Sequence, residues 1–280
     1  MIQTLPTTQV AYALGHAPRE LQRLIDQARY FGDMTAHIFQ LAGLGAGMRV
    51  LDIGCGAGDV AFLAASMVGP AGEVIGVDRS PDAVALATRR AAEGGLTNVR
   101  FVVGDIADLA LDEPVDALVG RLVLMYLTDP AVVLRRLATL VRPGGLIICH
   151  EFDMTRAMAD PPSQLFAEAT DRITQALNRA GADSRAGLHL RRTFLEAGLL
   201  APQQFLHARV EHGPEAPGLR PGRRDHPYAA AGDGAHRGRH RRAGRHRHPR
   251  RAAARRGAGA GRHADLPAFI GAWSRKEATY

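Results

Sequence analysis

Residues 49–58 read Arg49-Val-Leu-Asp-Ile-Gly-Cys-Gly-Ala-Gly58 and decide the fold of this chain. The apolar residues before Gly54 predict a short buried strand of the kind found in parallel sheets. Glycines stand at positions 54, 56 and 58, and a helical pattern follows from Asp59 to Val68. A strand that passes through glycines into a helix presents backbone N–H groups to a ligand at the helix N-terminus. We therefore predict a nucleotide-like cofactor at this turn.

The rest of the chain alternates between strand and helix patterns. Strands are predicted at about 48–53, 74–77, 99–103, 117–119, 146–149, 203–210 and 269–273. Helices are predicted at about 18–29, 33–42, 58–68, 81–93, 130–143, 163–180 and 187–197. This order predicts an α/β fold with a doubly wound, mostly parallel sheet, in which ligands bind beyond the carboxyl ends of the strands. We divide the chain into an N-terminal helical cover (1–45), a cofactor-binding core (46–212), a low-complexity block (213–262) and a final strand (263–280).

The charge of the chain is concentrated in residues 213–262. The chain has 280 residues and a net charge of +7, but this block alone holds 14 Arg and three acidic residues, so the rest carries −4. Its Arg, His, Gly, Ala and Pro content predicts a segment that is disordered, or frame-shifted in GC-rich coding DNA. The alternative is an arginine-rich arm that binds nucleic acid.

The cysteines and the hydropathy of the sequence indicate the cellular compartment. Cys55 and Cys149 are the two cysteines, and they form no disulfide framework. The sequence shows neither a signal-peptide pattern nor an apolar stretch long enough for a membrane span. We therefore expect a cytoplasmic protein with an apolar core. The oligomeric state cannot be inferred from these features.

Four segments, in order, resemble the motifs of class I S-adenosylmethionine-dependent methyltransferases. They are Val50–Gly58, Val74–Pro81, Val103–Ile106 and Leu140–Leu146. Gly-Asp-Val-Ala at 58–61 is similar to small-molecule members of that family, including quinone-type methyltransferases. The resemblance implies a Rossmann-like methyltransferase fold with seven strands. The last strand is antiparallel, at Phe269–Trp273, with Gln203–Val210 as its partner.

The resemblance also implies S-adenosylmethionine as the cofactor and assigns residues to its parts. Asp52 and Arg121 border the methionine moiety, Asp78 accepts from the ribose hydroxyls, and Asp105 with the Ile106 N–H contacts the adenine. The remaining predicted cofactor-binding residues are Gly54, Cys55, Gly56, Gly58 and Arg79. A nicotinamide dinucleotide is the alternative cofactor, because Gly56–Ala61 also fits the G-x-G-x-x-G/A fingerprint. Each carboxylate could also be a plain turn or cap residue.

The predicted reaction is methyl transfer to a small-molecule acceptor. His150 and Glu151 are the candidate catalytic bases, with Asp153 beside them, and Tyr12 and His37 are candidates for the acceptor pocket. A nucleic-acid substrate is not expected, because Gly120–Val123 replaces the Asp/Asn-Pro-Pro-aromatic motif of amino-methylating DNA enzymes. We predict no metal site. A protein that binds the cofactor but does not turn over is a further hypothesis.

Overall fold

The computed structural model describes residues 18–212, 263–265 and 267–277, and the side chains of 30–210 and 267–277. The helices are α1 (Pro18–Ala42), α2 (Asp59–Val68), α3 (Pro81–Glu93), α4 (Pro130–Ala138), α5 (Gln164–Arg179) and α6 (Ala186–Glu196). The strands are β1 (Arg49–Ile53), β2 (Glu73–Asp78), β3 (Val99–Val103), β4 (Val115–Arg121), β5 (Val141–Asp153), β6 (Met158–Asp160), β7 (Gln203–His207), β8 (Val210–His212), β9 (His263–Asp265) and β10 (Ala268–Arg275). Short 3-10 turns lie at Leu124–Tyr126 and Met154–Arg156.

Seven strands form one sheet in the order β3-β2-β1-β4-β5-β10-β7. The pairs from β3 to β5 are parallel, and β10 is antiparallel to both β5 and β7. The α/β fold and the seven-stranded, mostly parallel sheet with an antiparallel last strand are therefore confirmed. Among the described helices, none is long and apolar enough to cross a membrane.

Each face of the sheet carries its own apolar layer. On one face, α1 and α2 cover alternate strand residues that include Val50, Val119 and Ile148. On the other face, α4 and α6 cover the intervening residues, including Leu51 and Ile147. The central strands β1, β2 and β4 are buried on both faces, as expected of a parallel sheet, and this explains their apolar runs, whereas β3 and β7 at the sheet edges are largely exposed.

The N-terminal cover differs from its prediction. Two helices were expected, with Asp33 as the cap of the second, but α1 runs unbroken from Pro18 to Ala42. Phe31, Met34, Thr35 and Ile38 form one buried stripe across the expected break. Packing of that stripe outweighs the cost of about 1 kcal/mol for Gly32 inside a helix. Asp33 instead accepts two hydrogen bonds from Arg209, at 2.8 and 2.7 Å.

Three other boundaries also differ. The helix expected to end near Pro143 ends at Ala138, and β5 begins at Val141 rather than at Leu146. The strand expected over 203–210 is divided, because β8 joins β6 and β9 in a small antiparallel sheet. Pairing partners that lie far apart in sequence determine the start of β5 and the division of residues 203–210. Tyr12 and the block 213–262 lie outside the described residues.

Gly271 allows α1 to approach the sheet closely. A Cβ atom at Gly271 would lie 2.5 Å from Ile38 Cδ1 and 3.0 Å from His150 Cδ2. We expect Gly271→Ala to lower the free energy of unfolding by about 1–3 kcal/mol, because the added methyl overpacks this contact. Gly32→Ala is the matched control. No atom lies within 4 Å of its Cβ position, so we expect it to stabilise α1 by about 0.5–1 kcal/mol. Denaturant titration measures both changes, and equal effects of the two substitutions would contradict this view of α1 packing.

Candidate cofactor site

The turn after β1 is a backbone structure that requires glycine. Gly54, Gly56 and Gly58 have φ values of 62°, 53° and 90°, in the left-handed region that other residues avoid. Space is also restricted. A Cβ atom added at Gly54 would lie 2.6 Å from Val123 Cγ2, and one added at Gly58 would lie 2.7 Å from Phe62 Cζ. Glycine at these two positions is therefore required both by conformation and by close packing.

Asp78 joins this turn to the end of β2. Its Oδ2 accepts a hydrogen bond from the Gly56 N–H at 2.9 Å, and its Oδ1 accepts from the Ser80 N–H at 2.9 Å. The Gly104 N–H, just after β3, donates to the Asp78 carbonyl at 3.0 Å. The ends of β1, β2 and β3 therefore meet at Asp78, which is half-buried. Arg79 follows it as an exposed residue.

The predicted adenine residues follow β3. Asp105 is half-buried, and its Oδ1 accepts from the Ala107 N–H at 2.9 Å. Ile106 is buried against the apolar layer beneath α4. Asp105 and Ile106 therefore lie at the same edge of the sheet as Asp78, one strand further out.

Asp52 is a buried carboxylate at this edge. Its side chain is 1% exposed, and Oδ2 has no hydrogen-bond partner among the residues that the structure describes. Burial raises the pKa of Asp52 to about 8, with Arg121 opposing the shift and Asp78 adding to it. Leaving a buried acceptor unpaired is costly, so this oxygen is suited to a cationic or N–H-bearing ligand group.

Arg121, at the end of β4, supplies a cation beside Asp52. Its Nη1 donates to Thr35 Oγ1 at 3.2 Å, and Thr35 in turn donates to the Phe31 carbonyl at 2.9 Å. Burial lowers the pKa of Arg121, and the carboxylates of Asp59 and Asp52 oppose that shift. The guanidinium thus contacts a hydroxyl on α1 and interacts electrostatically with Asp59 and Asp52.

Two residues of this site were missed from the sequence. Thr35 is fully buried and contacts Arg121 from α1. Arg90 on α3 donates to both oxygens of Asp59, at 3.0 and 2.7 Å, and also to the Ala57 carbonyl. Arg90 therefore holds the glycine turn from outside. No local motif marks either residue, because each acts on a segment more than 30 residues away.

The candidate bases lie inside the protein. His150 is 1% exposed, its ring is 5.7 Å from that of Phe39 and 5.3 Å from that of Phe269, and neither ring nitrogen has a hydrogen-bond partner within the described structure. Burial lowers its pKa to about 3, and Arg121 and His207 add to the shift. Glu151 is also fully buried, and burial raises its pKa to about 8. Their assignment as bases stays a prediction.

The remaining candidates lie elsewhere. Asp153 is engaged by the following turn, since it accepts from Thr155 N–H at 3.0 Å, from the Thr155 hydroxyl at 2.5 Å and from Arg156 Nε at 3.0 Å. His37 is exposed on α1, 5.3 Å from the ring of His207. Cys55 is buried inside the glycine turn, where burial raises the pKa of its thiol. Within the described ranges, no group of three or more His, Cys, Asp or Glu could hold a metal ion.

A family profile described as a methyltransferase domain matches residues 44–189, more than half of the chain. The chain belongs to the class I S-adenosylmethionine-dependent methyltransferases. The matched segment of this methyltransferase contains every predicted cofactor-binding residue. Membership of the family favours S-adenosylmethionine over a nicotinamide dinucleotide at the glycine turn.

Two curated relatives and one solved structure are similar to this methyltransferase. An arsenite methyltransferase from Halobacterium salinarum is 35% identical over 42% of this chain and 31% of its own length. A ubiquinone biosynthesis O-methyltransferase from Xanthomonas euvesicatoria is 33% identical over 40% of this chain and 46% of its own. The chain thus matches less than half the length of either relative. A SAM-dependent methyltransferase from Aquifex aeolicus shares the fold, with a TM-score of 0.53 and 21% identity over 70% of this chain and 92% of that one.

The buried carboxylate of Asp52 predicts a pH dependence of stability. Its pKa in the folded state, about 8, lies above its ordinary value of 3.8, so the folded protein binds this proton more tightly than the unfolded chain does. Raising the pH from about 4 to about 8 therefore lowers the free energy of unfolding. Asp52→Asn removes this titration and keeps an oxygen that can accept hydrogen bonds.

We expect the wild type to lose more than about 1 kcal/mol of stability relative to Asp52→Asn between about pH 5 and pH 9. Denaturant titrations across this pH range measure the difference. Asp82→Asn is the control, because Asp82 is exposed on α3 and its substitution leaves the wild-type slope unchanged. If the free energies of unfolding of wild type and Asp52→Asn changed equally with pH, Asp52 would be ionised across the whole range, and the prediction would be wrong.

Proposed function

We propose that this protein is a cytoplasmic enzyme that transfers the methyl group of S-adenosylmethionine to a small-molecule acceptor. The observation that carries the proposal is the meeting, at one sheet edge, of a glycine turn, the unpaired Oδ2 of Asp52 and the Asp78 carboxylate. Family membership supports the choice of cofactor. The names of the relatives, an arsenite and a ubiquinone-biosynthesis methyltransferase, support a small acceptor.

The charges at this edge match the groups that S-adenosylmethionine presents. Asp52 has a free oxygen for the ammonium group, and Arg121 offers its guanidinium to the carboxylate of the methionine moiety. Asp78 can accept from the ribose hydroxyls in addition to the Gly56 N–H that it already binds. Asp105 and the Ile106 N–H are assigned to the adenine. Gly54, Gly56, Gly58, Cys55 and Arg79 complete the set that we propose for the cofactor.

We place the acceptor next to the cofactor, beside an apolar cluster of side chains that packs beneath α1. Phe31 packs on Phe152 and Phe269 with ring centroids 5.2 and 5.1 Å apart, and Met34, Met125 and Met154 join them. Phe152 lies near the end of β5, Met125 and Met154 follow β4 and β5, and the other residues lie on α1 and β10. Thioether and aromatic groups favour an acceptor with apolar or planar surface. A nucleic-acid substrate is not proposed, because this cluster is apolar rather than cationic.

The cofactor, when bound, supplies an electrophilic methyl group on a sulfonium. The chain's own contribution is to hold the acceptor in line with that methyl group and to exclude water. Burial lowers the pKa of His150 to about 3, so the ring stays neutral and an unpaired nitrogen can accept a hydrogen bond from the acceptor, while the same burial opposes its protonation. We propose His150 for that role, and Glu151 as the second candidate.

The direct test of the function uses a methyl donor labelled on its transferred methyl group. We expect the full chain to move label from S-adenosylmethionine into the small-molecule fraction of a cell extract, and mass spectrometry then identifies the product. Label in nucleic acid or protein would contradict the proposed acceptor class. Binding of NADH in place of S-adenosylmethionine, measured by calorimetry, would contradict the proposed cofactor.

Asp78→Ala tests the ribose contact. We expect the Kd for S-adenosylmethionine to rise about 10- to 100-fold, because charged hydrogen bonds of about 1.5–3 kcal/mol are lost. Asp82→Ala is the matched control, since it removes an exposed carboxylate four residues away and leaves the Kd unchanged. Calorimetry measures both, and thermal unfolding shows that each variant is folded. An unchanged Kd in folded Asp78→Ala would refute this assignment.

A further inference from the structure

The loop that follows β4 has an unusual backbone. Leu122 has a φ of 58°, the only positive value outside glycine among the residues described. The chain then forms the 3-10 turn Leu124–Tyr126, in which Tyr126 N–H donates to the Val123 carbonyl at 3.1 Å. The N–H groups of Val123 and Leu124 open this turn, so the turn itself offers them no acceptor.

Glu151 on β5 provides that acceptor. Its Oε1 receives the Leu124 N–H at 2.7 Å and the Val123 N–H at 3.0 Å, and its side chain is 0% exposed. The carboxylate therefore acts as a cap for a turn that lies 27 residues earlier in the chain. Burying an acidic group in an apolar core is costly, and two N–H donors offset part of that cost.

The capped loop borders the proposed cofactor site. Val123 lies so close to Gly54 that a Cβ atom there would be 2.6 Å from Val123 Cγ2. Arg121, which interacts with Asp52, precedes the loop directly. On the opposite side the Met125 carbonyl accepts from the Asp183 N–H at 2.8 Å. A shift of this loop would therefore displace the wall of the glycine turn and the cation next to it.

We propose that Glu151 is a positioning residue whose Oε1 fixes the loop at 122–126 against the glycine turn. This role belongs to Oε1 and needs no proton transfer, whereas a general base would use Oε2, which has no hydrogen-bond partner among the described residues. The consequence for cofactor affinity rests on the proposed function, whereas the consequence for the loop does not. The experiment therefore measures cofactor affinity and the protection of the loop amides separately.

Two substitutions separate positioning from proton transfer. Glu151→Gln keeps an oxygen that can accept from both N–H groups but cannot act as a base. Glu151→Met keeps the buried volume but has no such oxygen. Amide hydrogen exchange at Val123 and Leu124 reports the loop, calorimetry reports the Kd for S-adenosylmethionine, and methyl transfer reports turnover. Glu93→Gln, an exposed change on α3, is the control.

We expect both amides to be protected from exchange in the wild type and in Glu151→Gln. The Kd and the turnover of Glu151→Gln should lie within about threefold of the wild-type values. In Glu151→Met we expect exchange at these amides to be at least tenfold faster, and the Kd to rise at least tenfold. Free exchange in the wild type would overturn the proposal, even if Glu151→Met does not fold. Loss of turnover in Glu151→Gln with protected amides would also overturn it, in favour of a base. If the wild type binds no S-adenosylmethionine, the proposed function fails, and the exchange comparison still decides the role of Glu151.

Discussion

The parallel pairing of β1 between β2 and β4 is the constraint on which the site depends. It brings Asp52, Asp78 and Arg121 to one edge of the sheet, where each strand ends. Two carboxylates then share a small volume, and the charge of Asp78 adds to the desolvation that raises the pKa of Asp52. Backbone N–H groups of Gly56 and Ser80 donate to Asp78, and the charge of Arg121 opposes the rise in the pKa of Asp52. Among the described residues Asp52 Oδ2 has no hydrogen-bond partner, and we propose that this oxygen receives a group of the cofactor.

The elements around this edge hold it in place from outside. Arg90 fixes Asp59 and Ala57 from α3, Thr35 orients Arg121 from α1, and Glu151 caps the loop after β4. None of these residues needs to contact the cofactor in order to affect its binding. A rigid, preorganised site lowers the cost of ordering side chains when a ligand binds. The helix α1 has a double role, since it supplies Thr35 and also contributes Phe31 and Met34 to the apolar cluster at the ends of β4 and β5.

The seven strands of the main sheet, their alternation with helices along the chain and the glycine turn were predictable because their signals are local. Val50–Gly58 and Ser80-Pro81 combine apolar runs with glycines and with a cap, and Ser80 Oγ does accept from the Ala83 N–H. The unbroken α1 was not predictable, because packing against Gly271 and His150 outweighs the local helix-breaking signals at Gly32 and Asp33. The small sheet of β6, β8 and β9 depends on strands more than 50 residues apart. The sequence placed His150 and Glu151 after a strand over 146–149, whereas both lie within β5, and only the structure shows that Glu151 already binds two N–H groups.

The central claim is that the edge formed by the carboxyl ends of β1, β2, β3 and β4 holds a sulfonium nucleoside. A crystal structure of the full chain with S-adenosylhomocysteine tests this most directly. The account predicts the ribose against Asp78, the ammonium group within reach of Asp52 Oδ2 and the carboxylate beside Arg121. A ligand bound elsewhere on the chain, or an Asp52 that keeps an unpaired oxygen in the complex, would contradict it.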